Sequence, residues 1–144
     1  MHLQYDDYYL KQILTSVRTI ALVGASPKPD RASHRVMAYL QARGYRVIPV
    51  NPVCRGEELL GERVYSRLED IPETIKIGMV EVFRRSDAVP EIVDAAIRIG
   101  AKVLWLQLGV VHGDAARHAQ EHGLRVVMDR CPKIEIPRLG LEKG

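Results

Sequence analysis

The segment TIALVGASPKPDRASHRV, residues 19–36, decides the fold. It begins with a short apolar run, rich in β-forming residues, that stops at Gly24, and this pattern is typical of a buried strand. A polar turn follows, and Ser33 is positioned to cap a helix that extends to about Arg43. Gly44 then ends the helix, because glycine readily adopts the conformation found after a helix C-terminus. The segment therefore predicts a strand, a turn and a helix in succession.

The same alternation of strand and helix runs through the rest of the chain. Apolar residues at helical spacing predict an N-terminal helix in residues 1–17 that packs on the domain. The other predicted strands are 46–50, 77–83, 102–108 and 124–128, and the other predicted helices are 87–99 and 114–122. The segments expected to be less regular are a loop at 54–62, a very short strand at 64–65, a helical turn at 67–71 and an irregular tail at 131–144.

Strands that alternate with helices of this length predict a parallel sheet with helices on both faces. Right-handed crossovers then give an α/β fold, a single Rossmann-like, doubly wound, mainly parallel sheet of five to six strands. Ligands in such sheets bind beyond the carboxyl ends of the strands. The segments that follow these ends are 24–35, 51–55, 83–87, 107–112 and 129–133.

Length and composition limit the classes of protein that the chain can belong to. Its 144 residues predict one domain, and 47% hydrophobic with 27% charged residues is ordinary for a globular protein. These values exclude a disordered, collagen-like or coiled-coil chain. Two cysteines are too few for a disulfide scaffold. No apolar run is long enough to span a membrane, and no secretory signal is evident, so we expect a cytoplasmic protein.

The net charge of +3 and the isoelectric point of about 9.0 are compatible with several partners. Nucleic acid binding is possible on charge alone, but no zinc-finger spacing, RNP motif or long basic helix occurs, and we do not expect it. A small polyanionic ligand explains the charge equally well, as does an ordinary solvated surface. His118 and His122 are four residues apart, but no third metal ligand is evident, so no metal site is predicted.

The turn after the first predicted strand suits an anionic ligand. Amides at a helix N-terminus favour an anion, and a turn of small residues lets a phosphate approach the backbone. The turn lacks the dinucleotide fingerprint, because Gly24 stands alone where three glycines are needed. The second strand ends in Asn51 rather than in the acidic residue that binds the ribose of NAD, and no P-loop occurs. The pattern indicates an adenine-nucleotide site of an uncommon kind.

Six short motifs near the predicted strand ends carry a family resemblance. They are Val23-Gly24-Ala25-Ser26, Arg31-Ala32-Ser33-His34-Arg35-Val36, Val50-Asn51-Pro52, Val82-Phe83-Arg84, Trp105-Leu106-Gln107-Leu108-Gly109 and Asp129-Arg130-Cys131-Pro132. In this order they resemble the small stand-alone CoA-binding proteins often called YccU-like. That domain is similar to the N-terminal CoA-binding domain of the succinyl-CoA synthetase α subunit. The resemblance covers about residues 10–138 and implies a coenzyme A ligand.

The resemblance also implies a role for particular residues. The pyrophosphate of CoA would be held by Gly24, Ala25, Ser26 and Pro27. The phosphates, including the 3′-phosphate that NAD lacks, would meet Lys28, Arg31 and Arg35, since arginine forks suit phosphate. The nucleotide would be bordered by Asn51, Pro52 and Val53, and the adenosine or pantetheine would be covered by Val82, Phe83 and Arg84. The thiol arm would lie nearer to Gln107 and Gly109.

Cys131 follows the last predicted strand and therefore lies at the expected ligand edge. It is either a small buried hydrophobic residue or a thiol near the CoA sulfur that can form a mixed disulfide. In the second case Arg130 and Lys133 could lower its pKa. Cys54 lies in a polar loop where no role is expected, and His112 is interpreted as a loop residue rather than a catalytic base.

Three functions remain open on the sequence alone. The leading hypothesis is a module that binds CoA or an acyl-CoA without complete catalytic machinery of its own. The second is a small CoA-dependent transferase, or a subunit of a CoA-dependent ligase that needs a partner. The resemblance to the synthetase implies a second domain with a phosphorylated histidine, and we do not expect these 144 residues to include it. The third is an NAD(P)-binding regulatory or oxidoreductase domain. The apolar face of the N-terminal helix could also serve a homodimer or another protein partner.

Overall fold

The computed structural model describes residues 4–142 and has the predicted α/β architecture. The helices are α1 (Asp7–Ser16), α2 (Ala32–Ala42), α3 (Val89–Arg98), α4 (Gly113–Glu121) and α5 (Pro132–Arg138). The strands are β1 (Thr19–Val23), β2 (Arg46–Val50), β3 (Glu58–Leu59), β4 (Glu62–Arg63), β5 (Met79–Val82), β6 (Val103–Leu106) and β7 (Arg125–Val127). Of the domain, N-terminal helix and tail predicted from the sequence, residues 1–3 and 143–144 lie outside the described residues.

The main sheet of residues 4–142 has five parallel strands in the order β2-β1-β5-β6-β7. The chain runs from β1 outward to β2 and then crosses back to β5 on the other side of β1. In register, Val23 of β1 lies between Val50 of β2 and Val82 of β5. The strand order therefore reverses between β1 and β5, and in open α/β sheets the ligand crevice lies at the carboxyl ends of such a pair.

Helices cover both faces of this sheet. On one face, α3 and α4 pack their apolar stripes against Val80 and Val82 of β5. On the other face, α1, α2 and α5 pack in a second apolar cluster with Met79 and Trp105. The two clusters arise because successive residues of a strand face opposite sides of the sheet.

α1 contributes to this core and does not leave its apolar face free. Leu10, Ile13 and Leu14 are at most 2% exposed, because they pack on the sheet with α2 and α5. α1 therefore packs on the sheet with its apolar side inward. The apolar face that the sequence offered for a homodimer is already buried within the chain.

α5 corrects the prediction of an irregular tail at residues 131–144. Two prolines suggested that no helix forms there, but Pro132 occupies the first turn, where a helix needs no amide donor. Ile136 and Leu139, three residues apart, are 1% and 7% exposed and anchor the helix on the sheet. Tertiary burial outweighs the weak helix propensity of Pro137 inside this short helix.

The segment predicted as a loop at 54–62 also has regular structure. β3 and β4 form an antiparallel hairpin whose turn residues Leu60 and Gly61 have φ values of +50° and +85°. Tyr65, in the predicted short strand, forms a single parallel bridge with Val50, so the segment adds one bridge at the β2 edge. The predicted helical turn is present as a 3-10 helix at Leu68–Asp70.

Candidate functional site

The ends of β1 and β5 approach each other closely at Gly24. This glycine has a φ of +90°, which L-residues with side chains rarely adopt. A Cβ placed on Gly24 would lie 2.9 Å from the carbonyl carbon of Phe83 and nearer still to its oxygen. The amide of Phe83 in turn donates to the carbonyl of Val23 at 2.8 Å. Only glycine fits here, and the resulting turn opens directly onto the crevice between the two strands.

Asn51 fixes the turn that follows Gly24 by using both ends of its side-chain amide. Its Nδ2 donates to the carbonyl of Ala25 at 2.7 Å, and its Oδ1 accepts from the amide of Val53 at 2.9 Å. The amide of Gly24 also donates to the carbonyl of Val50 at 2.9 Å. A carboxylate could not donate to Ala25, which explains why asparagine occupies the position where NAD-binding sheets place an acid.

The N-terminus of α2 faces this turn without a side-chain cap. The N-cap residue is Arg31 and not the predicted Ser33, which is only 5% exposed inside the first turn. Among residues 4–142, no side chain caps this end of α2. The carbonyl of Arg31 accepts hydrogen bonds from the amides of His34 and Arg35. The first-turn amides and the positive end of the helix dipole therefore point toward the turn.

Two clefts meet at the carboxyl edge of the sheet. The larger, which we call the main cleft, has a volume of about 780 Å³ and is lined by residues that include Pro52, Phe83, Arg84, Arg67 and Arg98. The smaller, which we call the basic cleft, has a volume of about 450 Å³ and is lined by residues that include Ser26, Pro27, Lys28, Arg31 and Cys54. Both contain Gly24, Asn51, Val53 and Phe83, so together they form one continuous groove.

The charges of the groove differ between its two ends. The lining of the basic cleft holds Lys28 and Arg31 and, among the described residues, no carboxylate. In the main cleft, Arg98 donates from Nε to Glu69 at 3.1 Å, and this hydrogen bond lowers the pKa of the Glu69 carboxyl. Arg84 forms no ion pair with any residue of 4–142. Lys28 and Arg31 thus face a cleft without a carboxylate in its described lining, whereas Arg84 shares the main cleft with the carboxylates of Glu69 and Glu91.

Most of the residues singled out in the sequence come together here, but several do not. Those that line the groove are Gly24, Ser26, Pro27, Lys28, Arg31, Asn51, Pro52, Val53, Phe83 and Arg84. Val82 is fully buried and faces α3, so its side chain does not reach the groove. Ala25 is 1% exposed beneath the turn and contributes its carbonyl to Asn51. The guanidinium of Arg35 donates to the carbonyl of Asp30 and lies outside both linings.

The loops that leave β6 and β7 hold the other three predicted residues. The amide of Gly109 donates to Oδ1 of Asp129 at 2.7 Å, which joins the two loops. Gln107 and Cys131 are 7% and 6% exposed. His112 is the N-cap residue of α4, and its Nδ1 accepts from the amide of Ala115 at 3.1 Å. The ring of His112 therefore completes a helix terminus.

The structure adds residues that the sequence analysis missed. Cys54 is 5% exposed and lines the basic cleft, although its segment was expected to have no role. Burial raises the pKa of its thiol. Arg67 and Arg98 reach the main cleft from distant parts of the chain, and no motif marks them. Glu81 did carry a signal, since it interrupts an otherwise apolar strand and is fully buried.

Two further observations concern metals and membranes. Within residues 4–142, no group of three or more His, Cys, Asp or Glu side chains is placed to hold a metal ion. None of the helices described there has the length and hydropathy required to cross a membrane.

The fold and the groove define the class of protein. It is an α/β domain with a groove at the switch point of a parallel sheet, and the basic cleft of this groove suits an anionic ligand. A family model for the CoA binding domain matches residues 18–137 of this chain. The chain therefore belongs to that family, which confirms the resemblance seen in the sequence motifs.

Individual relatives cover most of the chain. The uncharacterized protein YneT of Bacillus subtilis (strain 168) is 41% identical over 125 residues, which is 87% of this chain and 90% of that protein. The crystal structure of Prb, the PH1109 protein redesigned for binding, has a TM-score of 0.90 and 43% identity, and covers 99% of this chain and 98% of its own.

A larger enzyme shares the fold over part of its length. The dinucleotide-forming acetyl-coenzyme A synthetase 1 of Ca. Korarchaeum cryptofilum matches with a TM-score of 0.62 and 26% identity. The match covers 75% of this chain and 25% of that enzyme. The similarity to a CoA-using enzyme extends to one quarter of its chain only.

Proposed function

We propose that this protein binds coenzyme A, free or acylated, in the groove formed by the main cleft and the basic cleft. The observation that carries the proposal is the continuity of these clefts at Gly24 and Phe83. The basic cleft offers cations beside the uncapped amides of α2, and Phe83 and Val53, which line both clefts, add apolar surface between them. A nucleotide joined to a pyrophosphate requires this combination. Membership of the CoA binding domain family supports the same ligand.

The phosphates would occupy the basic cleft. CoA carries roughly four negative charges at neutral pH on its phosphate groups. Lys28 and Arg31 face that cleft without a competing carboxylate among the described lining residues. The uncapped N-terminus of α2 supplies amide donors beside them. Charge-assisted hydrogen bonds of this kind contribute about 1.5–3 kcal/mol each, so the loss of one should weaken binding by a factor of roughly 10 or more.

The nucleoside would lie in the main cleft against Pro52, Val53 and Phe83. Val53 is 90% exposed, which is unusual for a large apolar side chain in an ordered turn. Its position is fixed by the hydrogen bond from its amide to Asn51. A bound base would remove this apolar surface from water, and Arg84 would remain available to a phosphate or to the face of the base.

The groove favours CoA over NAD and favours binding over catalysis. Asn51 is committed to the turn, so the position that binds the ribose of NAD offers no carboxylate. His112 is occupied at a helix terminus and therefore does not supply a free general base at this edge. We accordingly propose a binding module without complete catalytic machinery of its own.

Thermal unfolding and calorimetric titration under reducing conditions test this function. We expect CoA at 100 times its dissociation constant to stabilise the protein by about 2.7 kcal/mol, or roughly 5–10 °C. Dephospho-CoA should bind more weakly, and NAD should have no effect. A shift with NAD alone would overturn the proposal.

Two variants locate the phosphate end of the site. Arg31→Ala should weaken CoA binding by a factor of about 10 or more, for the reason given above. Arg18→Ala is the matched control, because Arg18 is exposed and precedes β1 at the opposite edge of the sheet. Equal affinities of the two variants would remove the phosphates from the basic cleft.

A further inference from the structure

The groove lies over one half of the carboxyl edge of the sheet. The strand ends that line the main cleft and the basic cleft belong to β1, β2 and β5, which are neighbours in the order β2-β1-β5-β6-β7. Among residues 4–142, the linings of these two clefts extend no further along the chain than Arg98 of α3. Adjacent strands lie about 4.8 Å apart, so β7 is roughly 10 Å beyond β5. The groove therefore stops short of the half of the edge that β6 and β7 form.

The loops that leave β6 and β7 are hydrogen-bonded within the protein. The amide of Gly109 donates to Oδ1 of Asp129 at 2.7 Å, and Asp129 holds this position with a φ of +59°. The amide of Val111 donates to Oγ of Ser86 at 3.0 Å, which ties the same loop to the segment that follows β5. Two amides that could otherwise receive an oxygen of a ligand are thus already used.

The side chains that the resemblance assigned to the thiol arm are withdrawn from the surface. Gln107 and Cys131 are 7% and 6% exposed, and Cys131 packs in the cluster that α1, α2 and α5 form on the sheet. Leu108, the residue between Gln107 and Gly109, is instead 52% exposed. The loops at this half of the edge therefore present a closed surface with an apolar side chain at its exterior.

We propose that this protein holds CoA by its nucleotide half alone, the 3′-phosphorylated adenosine diphosphate, and leaves the pantetheine arm accessible to solvent. The inference rests on the proposed function, because CoA must first occupy the groove. Lys28, Arg31 and the uncapped amides of α2 suit the phosphates. Phe83 and Val53 line both clefts and suit the nucleoside. The arm begins at the pyrophosphate, beyond the last group that these contacts hold.

The proposal defines the class of ligand by its nucleotide half. Free CoA and its thioesters share this half and differ only at the sulfur, so the protein should bind them with equal affinity. A bound thioester would remain open to attack by a molecule in solution. The protein would therefore carry an acyl group without selecting it and without shielding it.

Calorimetric titration with the two halves of CoA tests the proposal. Under reducing conditions, adenosine 3′-phosphate 5′-diphosphate should bind within about tenfold of CoA, and 4′-phosphopantetheine should not displace it. Acetyl-CoA and hexanoyl-CoA should bind as CoA does. A nucleotide half that binds more than about tenfold more weakly than CoA, or an affinity that rises with the length of the acyl chain, would overturn the inference.

The accessibility of the thiol is tested by its rate of alkylation. Excess iodoacetamide is added to CoA, and the alkylated nucleotide is measured by chromatography so that the thiols of the protein do not contribute. Excess protein at 100 times the dissociation constant leaves about 1% of the CoA free, so a fully shielded thiol would react roughly 100-fold more slowly than free CoA. We expect a slowing of less than about tenfold. A larger protection would overturn the inference.

Two variants separate the groove from the loop of β6. Arg31→Ala should weaken the binding of CoA and of its nucleotide half by the same factor, because Arg31 lines the basic cleft. Leu108→Glu places a charge at an exposed position of the loop and should leave both affinities unchanged. A loss of affinity for CoA but not for its nucleotide half in Leu108→Glu would mean that this loop holds the arm, and would overturn the inference.

The two proposals fail in distinguishable ways. No binding of CoA under reducing conditions would overturn the proposed function and, with it, the inference. Normal binding of CoA with a nucleotide half that binds far more weakly, or with a shielded thiol, would overturn the inference alone.

Discussion

Replacing Gly24 by alanine tests whether the close approach of β1 and β5 builds the groove. Gly44→Ala is a matched control, because Gly44 has a φ of +98° and a Cβ placed there would meet nothing within 4 Å. Gly24 has a similar φ of +90°, but its Cβ would lie 2.9 Å from the carbonyl carbon of Phe83. The two variants therefore share the conformational cost and differ in the steric one.

The expected magnitudes follow from these two contributions. A left-handed conformation costs an L-residue roughly 1–2 kcal/mol, and both variants should lose this amount of unfolding free energy. Gly24→Ala must in addition displace the backbone at Phe83, and overpacking of this kind costs about 1–3 kcal/mol. The midpoint of thermal unfolding of Gly24→Ala should thus lie roughly 3–15 °C below that of Gly44→Ala.

Urea unfolding of both variants, followed by circular dichroism, measures the difference. Equal dependence on urea would show that the native and denatured states expose similar surface in each case. Because displacement of Phe83 alters both clefts, the affinity for CoA should fall in Gly24→Ala and stay unchanged in Gly44→Ala. Equal losses of stability in the two variants would refute the argument that the turn is held by close backbone contact.

Three further changes have defined outcomes. Asn51→Asp should lower the free energy of unfolding by about 1–3 kcal/mol, because a carboxylate cannot donate to the carbonyl of Ala25; wild-type stability in urea would contradict this. Ile136→Ala should lower the free energy of unfolding by about 2–5 kcal/mol. Ile134→Ala, at a site that is 51% exposed, should lower it by less than about 1 kcal/mol. Two equally small losses would mean that α5 does not anchor on the sheet. The pKa of Glu81 is raised by folding, so the native state binds this proton more tightly and wild-type stability falls as the pH rises above the ordinary value of 4.5. The advantage of Glu81→Gln should therefore widen with pH, by at most about 1.4 kcal/mol per unit, and a constant difference between pH 4 and 8 would contradict the burial of this proton.

The fold followed from the sequence where local and tertiary preferences agree. The strand at 19–23 is a short apolar run that stops at Gly24, and the helices at 87–99 and 114–122 also end at glycines. The prediction of an irregular tail at 131–144 was wrong. It rested on the two prolines and did not include the burial of Ile136 and Leu139, which only the folded sheet provides. The hairpin at 58–63 has strands of two residues each, too short for any periodicity to show.

The sequence motifs could place residues at the strand ends, but they could not show which of two neighbouring side chains points into the groove. Val82 and Phe83 entered the prediction together, but alternate residues of a strand face opposite sides. Phe83 lines the groove, whereas Val82 is buried against α3. Arg67 and Arg98 reach the main cleft from elements remote from the motifs, so their position depends on packing that a one-dimensional pattern does not contain.

The cost of Glu81 to the fold is itself an argument for its use. An apolar side chain between Leu22 and Trp105 would pack in the sheet without a desolvated carboxyl, so stability alone gives no reason for an acid there. Positions that break the rules of core packing are expected where a protein carries out chemistry.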